Sequence, residues 1–392
     1  MKISQTNRMG VISRGIKTPI IQPGDNLEEI VISSVMEATG EFQDGDIIGV
    51  TEAVVAISQC NFATAEDIQI DIMNKFPGAT ELAIVDPIQS RNRFMEVLKA
   101  IAGTPQLKKL YIFMTYPCDE VGNRFISDEA IMDSDINPYK DVLDVKTFYK
   151  KFGYPKHPFT GKNYIVEYQA ACMGKAEIVL CNDFSKVPEY CKDVLVCSIH
   201  RREMTKRIVS RSGANRVFTM ADILSEAVNG SGYNEKFGLY GTNAMAGGKL
   251  KLMPRDCFDF SRSIKAKVKE RYGKDVEVFV YGDGAFKDPV GGIWELADPQ
   301  TTLGATNGLA GTPKEVKLKY LASANAGKSP EEIETIVAKE KAERIASDDV
   351  TSNASLGTTP RQITDLLASL ADLTTGSGDR QTPVVLISGY LR

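Results

Sequence analysis

A chain of 392 residues, 43% hydrophobic and 25% charged, is long enough for two or three folded domains, which excludes disordered, fibrous and disulfide-miniprotein classes. A formal charge of -4 excludes a protein whose main task is wrapping nucleic acid, and no apolar run approaches the ~20 residues of a membrane span. Seven cysteines without a CxxC pair, and the polar start MKISQTNRMG, point to a reducing cytoplasm rather than a disulfide framework or a zinc site.

In chain order, turn chemistry in GIKTPIIQPGDNL leads into a helix over 27–36, apolar at 27, 30, 31 and 35. Asp44-Gly45-Asp46 then turns the chain into IIGVTEAVVAI, 47–57, which reads as one strand buried on both faces. From about 61 to 228 strand and helix patterns alternate. The strands are LAIVD (82–86), KLYIFMTY (109–116), AEIVLCND (176–183) and DVLVCSIH (193–200), with helical patterns at 90–102, 165–174 and 203–212. Such alternation predicts a parallel sheet with helices on its faces. Residues 229–260 are rich in Gly and Asn and read as loops. A helix over 259–271 precedes the strand VEVFVYGD, 276–283. The tail offers a charged helix at 330–346, a Ser/Thr/Asn loop at 348–358, a helix capped by Thr359 with Pro360 at its first position, a flexible loop at 374–382 and an apolar closing strand at 383–391.

With only His157 and His200, a multi-histidine metal site is excluded, and no GxSxG elbow accompanies either. Chemistry then falls to carboxylates, Lys, Arg and backbone amides. Carboxylates without His or Cys select hard cations such as magnesium or manganese, whose usual partner is phosphate. The sharpest constellation is YGDGAFKDP, 281–289, where an apolar strand delivers Asp283, Gly284 allows close backbone approach and Lys287 follows. A hairpin turn is the competing reading. Beyond it, Trp294, Glu295 and Asp298 offer a further acidic ligand. GSGDR, 376–380, has the composition of a phosphate loop without its strand-loop-helix order, so a surface loop is the simpler reading. Asp365 lies on a helix that otherwise presents Leu366, Leu367, Leu370 and Leu373, where solvated-face and ligand readings compete. The strand ends of 61–228 place Asp86, Asp119, Glu120 and His200 at the carboxyl edge, where open α/β sheets bind ligands, with Arg91, Arg93, Arg201 and Arg202 as a cationic rim.

Seven segments in the right order resemble the coenzyme F(420)-0:L-glutamate ligase family. They are TPIIQPGDNL, DGDIIGVTEAVV, LYGTN, KLMPRDCFDFSRSIKAKV, VEVFVYGDG, TDLLASLADL and GSGDRQTPVVLISGY. They cover residues 1–60 and 229–392, leaving 61–228 as an insertion. The fold implied is α/β (α+β): a ligase-like mixed-sheet core made from both chain ends, plus an inserted parallel-sheet α/β domain. The resemblance implies a γ-glutamyl ligase that uses GTP or ATP. It would join L-glutamate or a similar amino acid to an acidic small-molecule acceptor, coenzyme F(420)-0 or a folate-like compound, through an acyl phosphate. It further implies magnesium or manganese held by Asp283 and Asp365, with Asp298 added from the acidic pattern, and catalytic roles for Asp283 and Lys287. The nucleotide would lie against Thr18, Pro19, Ile20 and Ile21, against Glu52 and Ala53, and against Gly376, Ser377, Gly378, Asp379 and Arg380. A homodimer is implied as well. The chain departs from the family at Ile57, where the family has Lys, at Ala285-Phe286-Lys287 in place of Gly-Arg, and at Leu366 in place of Glu. Two rival readings stand beside the ligase: a nucleotide- or metabolite-binding protein without turnover, and an activity housed in 61–228 at Asp86, Asp119 and His200.

Overall fold

The computed structural model describes residues 10–284, 297–313, 315–346, 361–375 and 380–391. Among them lies a mixed five-stranded sheet ordered Ile12–Ile16, Val384–Ser388, Ile47–Thr51, Glu277–Tyr281, Thr302–Ala305. The two chain ends are thus neighbours, in register from Ile12 opposite Ser388 to Ile16 opposite Val384. The closing strand is apolar because it runs between two others: Val384, Val385, Leu386 and Ile387 are all buried. Alternation sorts the side chains of this sheet. Ile48, Val50, Val278, Val280, Val384 and Leu386 face Val31 and Val35 of the Leu27–Thr39 helix and Ile264 and Val268 of the Cys257–Tyr272 helix. On the other face Ile47, Phe279, Val385 and Ile387 pack against Leu367, Ala368 and Ala371 of the Ile363–Thr375 helix.

A second sheet has six strands, ordered Leu143–Asp144, Ala176–Leu180, Lys109–Met114, Glu81–Val85, Asp193–Val196, Arg216–Thr219. All neighbouring pairs are parallel except the first. The chain fills it outward in one direction from Glu81–Val85 and then in the other from Asp193–Val196. The crevice between the carboxyl ends of those two strands is therefore the topological switch point. The alternating pattern of 61–228 anticipates this parallel sheet. It overlooks Arg216–Thr219, whose four residues carry too little apolar signal to stand out.

A small sheet of Asn243–Ala244, Leu250–Lys251 and Phe62–Ala63 ties the two regions together. Beside it, the Asn61 side chain donates to the carbonyls of Tyr233 (3.0 Å) and Met253 (2.7 Å) and accepts from Tyr233 N–H (3.0 Å) and Arg255 Nη1 (2.7 Å). The hydrophobic core is shared: Val50 and Leu386 of the mixed sheet belong to the same contiguous cluster as Ile84 and Ile112 of the parallel one. No described helix is long and apolar enough to cross a membrane.

Local expectations are corrected in two places. Residues 47–57 are not one strand but the strand Ile47–Thr51 followed by the helix Glu52–Ser58. An unbroken apolar run fits a buried strand and a buried helix equally well, and Glu52 at the helix start suits the positive end of the helix dipole. The 229–260 region is mostly irregular but contains two strands, and its last residues already belong to the Cys257–Tyr272 helix. Residues 348–358, Thr359 and Pro360 lie outside the described residues.

Candidate active site

The strands Ile47–Thr51 and Glu277–Tyr281 are a parallel pair, with Thr51 opposite Tyr281, so both release their chains at the same edge. There a cavity of about 370 Å³ opens. Its lining combines Thr51, Glu52 and Ala53 after one strand, Gly282 and Asp283 after the other, Asp372 and Thr375 from the Ile363–Thr375 helix, and Pro383. Asn243 and, from the 61–228 segment, Asn92 and Arg93 close it.

Charge in this cavity is arranged around Arg93. Its Nη2 lies 2.6 Å from Asp283 Oδ2 and its Nη1 2.5 Å from Asp298 Oδ1, a fork that bridges two carboxylates. The second Asp298 oxygen accepts the backbone N–H of Asp283 at 2.8 Å, and Asp372 Oδ2 accepts that of Gly284 at 2.9 Å. A Cβ at 282 would stand 2.4 Å from Asp298 Oδ2, so a larger residue there would displace that carboxylate. Glu52 is buried and ion-paired with Lys251, and its Oε2 has no hydrogen-bond partner among the described residues. Burial pushes the Glu52 carboxyl above the usual range, and Lys251 opposes this only in part. Burial likewise raises Asp372.

Of the residues singled out in the sequence, Asp283, Glu52 and Ala53 line this cavity, and Asp298 joins them through Arg93. Asp365 does not line it. Its Oδ1 accepts from Thr301 Oγ1 at 2.6 Å, and the helix instead presents Asp372, seven residues or about 10 Å further along. Residues seven apart share a helix face, so the pattern marks the face but not the level. Thr18 is buried and its backbone is bonded to Gln381: Thr18 N–H donates to Gln381 O at 3.4 Å, and Gln381 Nε2 donates to Thr18 O at 3.0 Å. Thr51 N–H reaches Pro383 O at 3.0 Å, which sets the 380–383 segment at the cavity edge. Pro19, Ile20 and Arg380 are exposed and Ile21 half-buried, none of them in the cavity lining. Lys287, Trp294, Glu295, Gly376, Ser377, Gly378 and Asp379 lie outside the described residues.

Among the described residues the donor set does not fit a resident divalent ion. The two carboxylates that face each other, Asp283 and Asp298, already hold a guanidinium between them, and Asp365 points elsewhere. Among the described residues no group of three or more His, Cys, Asp or Glu side chains could hold a metal.

A second polar cluster lies at the switch point of the parallel sheet. Arg201 Nη2 meets Asp86 Oδ2 at 2.8 Å, and His200 N–H donates to Glu120 Oε1 at 2.8 Å. Asp86 is fully buried, which raises its carboxyl to about 7 despite Arg201. Asp119 faces His157 instead, 3.8 Å away, and accepts from Asn123 N–H and Nδ2 at 2.8 and 3.0 Å. The expected cationic rim is corrected here. Arg93 is committed to Asp283 and Asp298, Arg201 to Asp86, and Arg202 to the Ile199 carbonyl, because buried carboxylates and carbonyls draw the guanidinium groups inward. Arg91 is exposed and has no such partner among the described residues.

Sequence reasoning missed Asn92, Asn243, Lys251, Asp372 and the commitment of Arg93 to this cavity. Asp372 lies seven residues beyond Asp365 on the same helix face, a spacing that could have marked it as a second candidate. The profile of the F420-0:Gamma-glutamyl ligase family matches residues 15–389. A comparison with curated proteins gives no match.

Proposed function

This chain belongs to the F420-0:gamma-glutamyl ligase family, and from that premise we propose that it joins the amino group of L-glutamate, or a similar amino acid, to a carboxylate on an acidic small molecule at the expense of GTP or ATP. The observation that carries the reading is the match over 15–389, which spans every strand bordering the cavity. In this reading the nucleotide rests on the segment around Thr18 to which Gln381 is bonded, with its phosphates directed into the cavity. An acceptor carboxylate oxygen attacks the terminal phosphorus, the bond to the bridging oxygen breaks, and an acyl phosphate and nucleoside diphosphate result. The amine nitrogen then attacks the acyl carbon, the C–N bond forms, and phosphate leaves with the former acyl C–O electron pair. Glu52 accepts the amine proton: it lines the cavity, its Oε2 lacks a partner among the described residues, and burial makes its carboxylate a stronger base. Residues 61–228 act as an inserted domain that closes the cavity with Asn92 and Arg93 and carries the acceptor.

The test is calorimetric titration of GTP, ATP and GDP into the wild type and Asp283→Ala, followed by a phosphate-release assay with L-glutamate and candidate acceptors. Triphosphate binding, with phosphate release that requires both co-substrates and is lost in Asp283→Ala, supports the ligase. No nucleotide binding overturns it. The buried Asp86 at the switch point favours one rival, an activity housed in 61–228. Activity lost in His200→Ala and retained in Asp283→Ala would establish that rival.

A further inference from the structure

Extending that reading to the control of the same cavity, we propose that Arg93 is the resident cation of the Asp283–Asp298 pair, so that a divalent metal ion enters this site only by expelling an arginine of the 61–228 segment. The geometry is that of a cation site already filled. Asp283 Oδ2 and Asp298 Oδ1 converge on one guanidinium at 2.6 and 2.5 Å, and opposed carboxylate oxygens are the ligands a hard divalent ion would take. A planar guanidinium presents two N–H donors at a fixed spacing, one to each carboxylate, so both are satisfied without reorienting the group.

Arg93 is also anchored where it stands. Ser90 Oγ accepts its backbone N–H at 3.3 Å, Thr242 Oγ1 donates to its carbonyl at 3.2 Å, and the next two residues, Phe94 and Met95, are buried in the core. Asp298, with a side chain only 2% exposed, spends its other oxygen on the N–H of Asp283, so without Arg93 it would be a buried charge lacking a counter-ion. A guanidinium and a divalent ion cannot share the gap, because like charges a few ångströms apart in a partly desolvated site repel strongly. The 61–228 segment therefore supplies the charge that the Asp283 site needs, and it sets the threshold for metal entry.

The test reads manganese binding to the nucleotide-free full chain by electron paramagnetic resonance. Arg93→Gln is expected to bind one Mn²⁺ about tenfold tighter than the wild type or better, and adding Asp283→Asn is expected to abolish the gain. Arg93→Lys keeps a charge but on a shorter side chain without the guanidinium's fixed fork, so it gives a smaller gain and serves in place of the Gln variant should that one fail to fold. Wild type that binds Mn²⁺ as tightly as the variants, or a gain that survives Asp283→Asn, overturns the assignment. Either result leaves the ligase reading standing, and absence of phosphate release in the ligase assay leaves these affinities unchanged.

Discussion

Replacing Asp86 with Asn removes the ionisation of a carboxyl that the fold buries completely. The backbone at 86 has φ 56°, a left-handed conformation that Asn tolerates at least as well as Asp, so the exchange introduces no strain. Burial, opposed by Arg201, holds this carboxyl at about 7 against an ordinary 3.8, a preference for the neutral form of about 4 kcal/mol. Because the folded chain keeps a proton that the unfolded chain loses, stability from this group is fully present below the ordinary value and falls as pH rises towards 7. Between pH 5 and pH 8 the wild type should lose about 2–3 kcal/mol more than Asp86→Asn, whose side chain has no proton to release. The Arg201 side chain is 45% exposed, so water takes up its charge when the partner is removed. Urea unfolding followed by circular dichroism at pH 5, 6, 7 and 8 measures the difference between the two proteins. Asp71 and Glu52 are also raised by burial, but they slope both curves in the same direction and cancel in that difference. Parallel pH profiles for the two proteins would refute the argument.

Three further perturbations follow from named contacts. Asn61→Ala removes two donated and two accepted hydrogen bonds beside the small sheet, and should cost about 3 kcal/mol in urea unfolding. Lys251→Met strips the counter-ion from buried Glu52 and should cost about 3 kcal/mol at pH 8. That cost should shrink as pH falls and the buried Glu52 carboxyl takes up a proton, and a cost independent of pH would contradict the ion-pair account. Gly304→Ala would bring a Cβ within 2.3 Å of the Cys257 backbone, forcing the Thr302–Ala305 strand off the Cys257–Tyr272 helix. The expected loss is about 2–3 kcal/mol, read as a lower thermal midpoint.

Much of the architecture follows from short-range pattern. The alternation of apolar strands with helical periods in 61–228 can be accommodated only by a sheet covered on its faces, and that sheet is present and parallel. An apolar run such as Val384–Ser388 demands burial wherever it lies in the chain, and it is found between two strands. VFVY followed by Gly-Asp foretells a strand that delivers Asp283 at its end, and Asp283 does line a cavity. Where periodicity is ambiguous, as in 47–57, the same reasoning misplaces a helix.

Sequence by itself thus determined the α/β class, the burial of the closing strand and the arrival of Asp283 at a strand end, because each depends on a pattern within ten or so neighbouring residues. Tertiary structure alone decided that Asp372 rather than Asp365 reaches the cavity, that Glu52 pairs with Lys251, and that Arg93 bridges Asp283 and Asp298. These partners are separated by about two hundred residues or by two turns of one helix. An ion pair forms between whichever charges the packed core brings within about 3 Å of each other under low dielectric, and no local pattern encodes that distance.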